Sequence, residues 1–482
     1  MKFYKINIKA SLFFVFILNL VVLPQRVLTL DEALSIALKE SYAIQSAYYS
    51  LESSQKNLEA SKLGLMTSVN LELDVPRYSR SLQSQFNINT GKEEFFEVGN
   101  TTLESRIFFN QPIVYTNGTF SLVGSLFGRD QLNMTGNVTR DYYSNLSFRL
   151  RQPLFTFNNQ QANLQRAEIN LQKSQRNYTR AEREIIYFVT SSFYNLFQAK
   201  KNVEITRERV NQTQSSYETA INKFKAGLIA EVEALQLEVD LASSKNELLN
   251  IEAKFDELKD EFKILIGLPL TELFDIVAQI EFTPIEVNED EAIKLALENR
   301  TELKNYESDI TLSSISVNET DSRGNISALL SANYGLNKND GVFKDIFRQL
   351  AEDRSVTFTL SLPVWDWGRN KREVESAQAN LKIAMLNKQN QSEQIEKEIR
   401  SVLNKIRASK ARVEVLSKSV ALAQKSYDIS VSRFDAGTIT SFDLSQLQLR
   451  LTDAKTNSLN ALIDYLLAVA DLSRKTYSNF LK

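Results

Sequence analysis

The sequence predicts an α+β membrane protein in which each chain supplies four strands, so that three chains close a twelve-stranded β-barrel, and in which long coiled-coil α-helices follow the strands. Three observations predict this fold class. The chain of 482 residues repeats itself internally. Each half carries two segments in which apolar and polar residues alternate. Each half also carries a stretch of about 67 residues without glycine or proline.

The internal repeat has a fixed spacing. Phe224–Leu228 matches Phe434–Thr438, and Gln152–Phe155 matches Leu362–Trp365, both at an offset of 210 residues. Loops tolerate changes of length whereas packed helices do not, so the constant offset predicts long, straight elements between the two matches.

The offset changes upstream of these matches. The acidic pair Asp31–Glu32, at the start of a predicted amphipathic helix, matches Asp290–Glu291 at an offset of 259 residues, so the first half has 49 additional residues. We therefore predict a first repeat over 29–280, with an inserted loop over 76–144, and a second repeat over 281–482.

Composition excludes several classes of function. The chain has no Cys and no His, which removes thiol nucleophiles, imidazole bases and the usual zinc ligands. Its net charge of -2 argues against a nucleic-acid-binding surface. We predict that the protein is not an enzyme and has no cofactor, metal or nucleic-acid partner.

The N-terminus has the pattern of a secretory signal peptide. Lys2, Lys5 and Lys9 precede an apolar stretch over 11–24, which is shorter than the roughly 20 residues of a spanning helix. We predict a signal peptide over 1–28 with an uncertain cleavage site; a membrane anchor is the alternative.

Four segments alternate between apolar and polar residues, which indicates strands with one apolar face and one polar face. Their apolar positions are Val69, Leu71, Leu73 and Val75; Leu146, Phe148 and Leu150; Ala328, Leu330, Ala332 and Tyr334; and Val356, Phe358, Leu360 and Leu362. A small soluble sheet packed on helices fits each segment equally well. Four strands cannot close a membrane barrel, whereas three chains with four strands each close one of twelve.

The insertion has an alternating pattern of its own on both sides of Thr116–Gly118. This pattern predicts an extra hairpin. We expect it on the outer side of the barrel, because both flanking strands enter it away from the long helices.

Two long helices and two return helices are predicted. Residues 160–226 and 369–436 contain no glycine or proline and carry apolar residues every seven positions, which is typical of coiled coils. Gly227 and Gly437 end them. Second helices over 231–266 and 440–477 return antiparallel.

In this combination the chain resembles the TolC family of outer-membrane efflux channels. The most specific stretches are Phe224–Leu235 and Arg433–Leu449, which are similar to the helix-hairpin tips of that family. The resemblance implies a homotrimer with its barrel in outer-membrane lipid and its helical tunnel in the periplasm. It also implies a periplasmic adaptor protein docked at Gly227, Leu228, Gly437 and Thr438, coupled to an inner-membrane pump of the RND or ABC type.

The resemblance further implies a gate at the tips, held by polar contacts and carboxylate rings. The ring positions of the family fall on Asp443 and Gln446, and Glu233 occupies the place of Asp443 in the first half. Ile439 stands where some members have a basic residue. Alternatively, Asp443 only stabilises the N-terminal turn of its helix.

Aromatic residues follow one strand in each half. Trp365 and Trp367 occupy the places of Phe155 and Phe157. Duplicated placement at the end of a strand favours an aromatic belt at the membrane interface over a buried cluster.

We therefore predict the exit duct of a tripartite efflux or type I secretion system, a passive conduit gated at its periplasmic tips. A structural coiled-coil protein of the envelope and the periplasmic adaptor itself are the alternatives. The predicted strands argue against the first, and two helical hairpins in one chain argue against the second.

Overall fold

The chain is built from long helices and long strands. The computed structural model describes residues 26–88, 90–132, 137–278 and 280–480. In chain order the elements are β1 (Arg26–Leu28), α1 (Leu30–Glu40), α2 (Tyr42–Leu63), β2 (Ser68–Asn87), β3 (Lys92–Ile113), β4 (Gly118–Leu132), β5 (Val138–Leu154), α3 (Asn159–Lys225), α4 (Glu231–Ile266), β6 (Phe274–Ile276), α5 (Glu289–Asn299), α6 (Thr301–Ser322), β7 (Ser327–Asp340), a 3₁₀ turn (Asp345–Phe347), β8 (Ala351–Ser361), α7 (Arg369–Asp435) and α8 (Ser441–Thr476).

The predicted signal peptide falls mostly outside the described residues, because these begin at Arg26. Its last three residues form β1, which pairs in parallel with β6. Leu28 is fully buried there. The signal peptide stays a prediction, and cleavage after residue 28 would remove this strand from the mature chain.

Two helical hairpins, α3–α4 and α7–α8, form the longest part of the molecule. The predicted long helices are confirmed, since α3 and α7 each contain 67 residues, and at 1.5 Å per residue each spans about 100 Å. The return helices α4 and α8 each contain 36 residues. Contacts between helices give the lateral order α4–α3–α8–α7, in which neighbours run antiparallel and α4 and α7 lie at the edges.

The predicted seven-residue pattern lies on the buried side of these hairpins. Leu196, Val203 and Val210 of α3 are buried, as are Ile406 and Val413 of α7. None of the described helices is both long and apolar enough to cross a membrane.

The large sheet has six strands in the order β2-β3-β4-β5-β7-β8, and every neighbouring pair is antiparallel. The four predicted strands are all present, within β2, β5, β7 and β8. The count of four strands per chain was too low. The insertion extends β2 and adds β3 and β4 between the two matched strands of the first half, as a continuation of the sheet.

The expected position of the extra hairpin was wrong. Its turn lies at the helical end of the sheet, against the start of α3. Asn158 Nδ2 donates to Val114 O over 2.7 Å, Asn117 Nδ2 donates to Phe157 O over 3.2 Å, and Gln160 Nε2 donates to Gly118 O over 3.0 Å. The sequence prediction assumed a loop beyond the flanking strands, whereas the inserted strands return to the helices before β5 begins.

The register of the strands gives the sheet two unlike faces, because directly opposed residues point to the same side. The apolar face carries Val69, Leu71, Leu73, Leu103, Ile107, Phe109, Phe120, Leu122, Leu126, Leu146, Phe148, Leu150, Leu330, Tyr334, Leu336, Val356, Phe358 and Leu360. The opposite, mostly polar face carries Glu72, Asp74, Glu104, Arg106, Ser121, Ser125, Arg129, Asp141, Asn145, Ser147, Arg149, Asn333, Asn337, Asp353 and Thr357.

The remaining elements pack around the middle of the long helices. One apolar core joins α1, β1 and β6 to α3 and α4, and another joins α5 to α7 and α8. Gly267 ends α4 at φ 86°, and a Cβ added there would lie 2.4 Å from the backbone oxygen of Glu40. This close approach ties α4 to the end of α1.

Candidate functional site

The hairpin tips have the same backbone design in both halves. Gly227 and Gly437 have φ 72° and 73°, a conformation that favours glycine. The amide of each glycine donates to the carbonyl three residues back, and the next amide donates to the carbonyl five residues back. These bonds form a Schellman motif, so each long helix ends sharply and its return helix begins within a few residues.

The return helices begin differently at the two tips. Thr440 is the N-cap of α8 and forms a capping box with Asp443: Asp443 N donates to Thr440 Oγ1, while Asp443 Oδ2 accepts from Thr440 N and Thr440 Oγ1. The bonds from Thr440 lower the pKa of the Asp443 carboxyl. This geometry favours the helix-stabilising interpretation of Asp443, and its role in a gate stays a prediction.

Glu233 occupies the same helical position in α4, but the N-cap there is Ala230, which offers no side-chain cap. The Glu233 carboxylate instead reaches the second hairpin, where its Oε2 accepts from Ser441 N over 3.3 Å. A negative charge is stabilised at a helix N-terminus. Glu233 therefore links the two tips.

Lys223 links the tips from the other side. Its Nζ donates to the backbone oxygen of Phe434 and lies 4.5 Å from the centre of the Phe434 ring. The carbonyls at the end of α7 carry the negative end of the helix dipole, which favours a cation there. Phe434 is buried, whereas its repeat partner Phe224 is 37% exposed.

An apolar cluster lies between the tips. It contains Ala220, Ala234, Leu237, Tyr427, Phe434, Leu444 and Leu451. Burial raises the pKa of the Tyr427 hydroxyl to about 12, with smaller contributions from the carboxylates of Asp428 and Glu208.

Further polar contacts join the hairpins above this cluster. Ser445 Oγ donates to Asp240, Gln448 Nε2 donates to Thr213 Oγ1 over 2.9 Å, and Lys455 Nζ lies 2.8 Å from Glu208 Oε1. The sequence analysis missed these residues and Lys223. A polar residue such as Gln448, which lies between the buried Leu444 and Leu451 on one face of α8, was the signal available.

The predicted docking residues are exposed at the far end of the hairpins: Gly227, Leu228, Gly437 and Thr438. Leu228 is 73% exposed. A cleft of about 530 Å³ between the tips is lined by residues of both hairpins, including Lys223, Glu233 and Asp443. Gln446 is exposed on α8, away from the buried positions of that helix.

The two edge helices carry exposed apolar stripes. On α4 the stripe consists of Val232, Leu235, Val239 and Leu249, and on α7 it consists of Val415, Leu422 and Ile429. Each of these side chains is at least half exposed. Spacings of three, four, seven and ten residues keep side chains on one face of a helix, as in a coiled-coil seam, so both edges are suited to a further helix.

Of the predicted aromatic belt, three residues are exposed and one is not. Phe155 and Trp365 are each 74% exposed and Trp367 is 88% exposed. The two indole rings contact each other edge to face, with their ring centres 5.5 Å apart. Phe157 instead packs on Ala162, Ile169 and Ile315, between α3 and α6. The belt stays a prediction, and Phe157 is partly buried against these residues rather than exposed like the other three.

Among the residues that the structure describes, no group of acidic side chains is arranged to hold a metal ion. The polar groups at the tips instead bind one another across helix ends.

The sequence itself matches a known family. A profile described as Outer membrane efflux protein matches residues 117–260 and 292–476, more than half of the chain. The chain belongs to the outer membrane efflux protein family. The predicted recognition and the predicted location in the outer membrane of a Gram-negative-type bacterium are thereby confirmed.

Individual relatives of this outer membrane efflux protein are distant in sequence and close in fold. Outer membrane protein TolC of Vibrio cholerae is 23% identical over 331 residues, which cover 64% of this chain and 71% of the relative. The Campylobacter jejuni CmeC outer membrane channel has a TM-score of 0.71 at 16% identity, over 93% of this chain and 85% of that one. The outer-membrane channel OprN has a TM-score of 0.70 at 14% identity, over 93% of this chain and 89% of that one.

These matches decide between the predicted classes of function. Outer membrane efflux proteins are passive channels, not enzymes, as predicted. The predicted fold class of long helices, a sheet and two similar halves is confirmed. A fibre made of coiled coil alone does not account for the six-stranded sheet.

Proposed function

We propose that three copies of this outer membrane efflux protein form one continuous duct, from periplasmic helical tips to an opening at the cell surface. The duct is the passive exit channel of a tripartite efflux or type I secretion system. The observation that carries this proposal is that the sheet and the helical layer both end in free edges that run in opposite directions.

The sheet edges are complementary in direction. Within the described chain, β2 and β8 each have one edge without a partner strand, and the eleven residues of β8 are all exposed. The six strands alternate in direction, so β8 of one copy and β2 of the next meet antiparallel. Unpaired edges are unfavourable in a bilayer, and closure removes them.

The helical edges are complementary in the same way. Because neighbours in the order α4–α3–α8–α7 are antiparallel, α7 of one copy and α4 of the next also meet antiparallel. Val239 lies ten residues from the tip residue Ile229, and Ile429 lies eight residues from Gly437. At 1.5 Å per residue the two side chains are at nearly the same depth, roughly 15 and 12 Å from the tips.

The gate is expected where the tips are tied together. Glu233 and Lys223 hold the two hairpins of one chain against each other, and threefold symmetry repeats both ties around the entrance. We propose that opening separates the hairpins and breaks the bond from Ser441 N to Glu233. Asp443 and Gln446 remain candidates for a polar ring at the same level, and the bonds from Thr440 that lower the pKa of Asp443 favour its charged form.

The proposed partners follow from the exposed ends of the molecule. The exposed tip residues suit a periplasmic adaptor protein, which couples the duct to an inner-membrane pump. The apolar face of the sheet and the exposed aromatic residues Phe155, Trp365 and Trp367 suit outer-membrane lipid.

Disulfide crosslinking tests the assembly, because the chain has no native cysteine. With Val239→Cys and Ile429→Cys in one chain, oxidation of intact cells is expected to yield covalently linked dimers and trimers. The control variant carries Glu238→Cys and Asp428→Cys, each displaced by one residue to the side of the apolar stripe. Its chains are expected to assemble but to form no covalent link.

Reconstitution in planar phosphatidylcholine bilayers tests the duct. The purified trimer is expected to give discrete, ohmic conductance steps. A protein that forms no Val239→Cys to Ile429→Cys crosslink, sediments as a monomer and conducts no ions would overturn the proposal.

A further inference from the structure

We infer that the inserted hairpin is part of the barrel wall, so that three copies close eighteen strands rather than twelve. The inference rests on the proposed threefold assembly and adds the width of the outer opening to it. Its evidence lies in β3 and β4, the two strands of the hairpin that the sequence predicted within the inserted loop.

The apolar face continues through the inserted strands without a break. Register places Leu71, Ile107, Gly124, Leu146 and Leu336 in one row across five strands. The next row contains Val69, Phe109, Leu122, Phe148 and Tyr334.

The apolar side chains of the inserted strands are exposed to the same extent as those of the neighbouring strand β5. Ile107, Phe120 and Leu126 of the inserted strands are between 37% and 42% exposed, as are Leu146 and Phe148 of β5. A wall in contact with lipid requires this apolar band on every strand.

The polar face is equally continuous. Arg106 of β3 pairs with Asp74 at 3.1 Å and with Glu72 at 3.4 Å, both on β2. Arg129 of β4 pairs with Asp141 of β5 at 2.7 Å. Near the helices, charged residues such as Arg106 lie opposite the apolar band, which is typical of strands that line a water-filled lumen. At the far ends of the strands the apolar face also carries ion pairs, such as Arg140 with Asp130.

The hairpin also spans the full height of the wall. Its turn is bonded to the first turn of α3, and β3 and β4 contain 22 and 15 residues, more than the nine to eleven or so that cross a bilayer. A plug folded into the lumen, or a crown above the membrane, would not pair residue by residue with β2 on one side and β5 on the other. Because the hairpin adds two strands, β8 and β2 of neighbouring copies still meet antiparallel.

The strand number sets the width of the opening. Barrel diameter grows almost linearly with the number of strands, so eighteen strands separate opposite strand axes by roughly 35 Å, against roughly 24 Å for twelve. The outer opening is then wide enough to leave the helical tips as the part of the duct that limits the size of the cargo.

A short-wall variant tests the width. Replacing residues 76–143 by Asn-Gly leaves Val75 and Ser144, both on the apolar face, beside a two-residue turn. The variant has four strands per chain. With neutral polyethylene glycols added on the extracellular side of a planar bilayer, the native channel is expected to admit polymers about 1.5 times larger in radius than the variant admits. Equal size limits would overturn the inference.

Crosslinking on the full-length chain keeps the test independent of the folding of that variant. Ser125 and Asn145 face each other on β4 and β5, so Ser125→Cys with Asn145→Cys is expected to form a disulfide in intact outer membranes. Asn70→Cys with Asn145→Cys is expected to form no disulfide, because β3 and β4 lie between them. Their Cα atoms are then farther apart than the roughly 7 Å that a disulfide can bridge.

The outcomes separate the two proposals. One outcome is a trimer that crosslinks between α4 and α7 of neighbouring copies and also forms the disulfide between Asn70→Cys and Asn145→Cys. It would overturn the eighteen-stranded wall and leave the proposed duct intact. Failure to form trimers would overturn both.

Discussion

Single residues at the tips show how equivalent positions in the two repeats of one chain acquire different bonding partners. Asp443 and Glu233 are equivalent in the repeat, yet the first caps its own helix and the second binds the N-terminus of the other hairpin. The difference lies three residues upstream, where Thr440 provides a capping hydroxyl and Ala230 provides none.

Charge removal at Glu233 is expected to loosen the closed state. A carboxylate at a helix N-terminus contributes about 0.5 kcal/mol. Over three chains, Glu233→Gln is expected to raise the open probability of single channels roughly tenfold. The measurement is single-channel recording in planar bilayers.

Glu238→Gln is the matched control, because it removes an exposed charge from the same helix. Asp443→Asn should change channel opening less than Glu233→Gln, because Asp443 bonds only its own N-cap residue Thr440, whereas Glu233 bonds the other hairpin. An open probability unchanged by Glu233→Gln would remove this residue from the gate.

The candidate site was only partly predictable from single residues. The repeat and the resemblance identified both carboxylates and both glycines. Lys223, Asp240 and Gln448 were missed, because their partners lie on the other hairpin, more than 200 residues away. Periodicity within one helix contains no information about which helix lies opposite.

Helices and strands differed in how far the sequence predicted them. The bounds of α3, α4, α7 and α8 came out within two residues or so, because helix ends have local signals such as Gly227 and Gly437. The strand centres were found through alternation. Their pairing was not, because the partners of β3 and β4 are a property of the whole sheet.

Glycine at the end of α4 provides a test of element packing. Gly267→Ala combines a positive φ with a Cβ 2.4 Å from the Glu40 backbone, so we expect a loss of roughly 3 kcal/mol in the free energy of unfolding. Gly437→Ala has the same backbone strain at φ 73°, but nothing lies within 4 Å of the added Cβ. Its expected cost is about 1 kcal/mol.

Thermal unfolding of the two variants in detergent, followed by circular dichroism, compares these costs directly. Gly267→Ala is expected to have the lower midpoint. Equal midpoints would mean that α1 moves away from α4 without cost.

At the scale of the whole molecule, the middle of the long helices holds the layers together. Arg300, between α5 and α6, bonds Glu302 over 2.7 Å and Glu398 of α7 over 2.8 Å. Burial alone would raise the pKa of the Glu302 carboxyl, but the bond and charge of Arg300 outweigh it and leave that pKa below its usual 4.5.

Removal of this arginine is expected to destabilise the fold in a pH-dependent way. Arg300→Met leaves Glu302 buried without its partner, at a cost of about 3 kcal/mol near pH 7. In the native protein, the contribution of Glu302 is present above pH 4.5 and is lost as the pH falls through its lowered pKa. The difference in unfolding midpoint between the native protein and Arg300→Met should therefore shrink below pH 4.5.

Lys254→Gln removes an exposed ion pair with Glu257 and serves as the control, with little expected effect on the unfolding midpoint, because exposed ion pairs are screened by solvent. Unfolding midpoints between pH 7 and pH 3 measure both variants. If the difference in unfolding midpoint between the native protein and Arg300→Met widens in acid, the proposed role of the ion pair is contradicted.

The inserted hairpin constrains how a channel of this design can change size over evolutionary time. One added strand would reverse the direction of every later element and leave α3 on the wrong side of the membrane, whereas two added strands return the chain to its starting side. The circumference of such a channel can therefore grow only in steps of one hairpin per chain, and each step enters the assembled ring three times. Duplication of a surface hairpin thus widens the outer exit without altering the long helices or the tips, so the two ends of the duct are free to evolve separately.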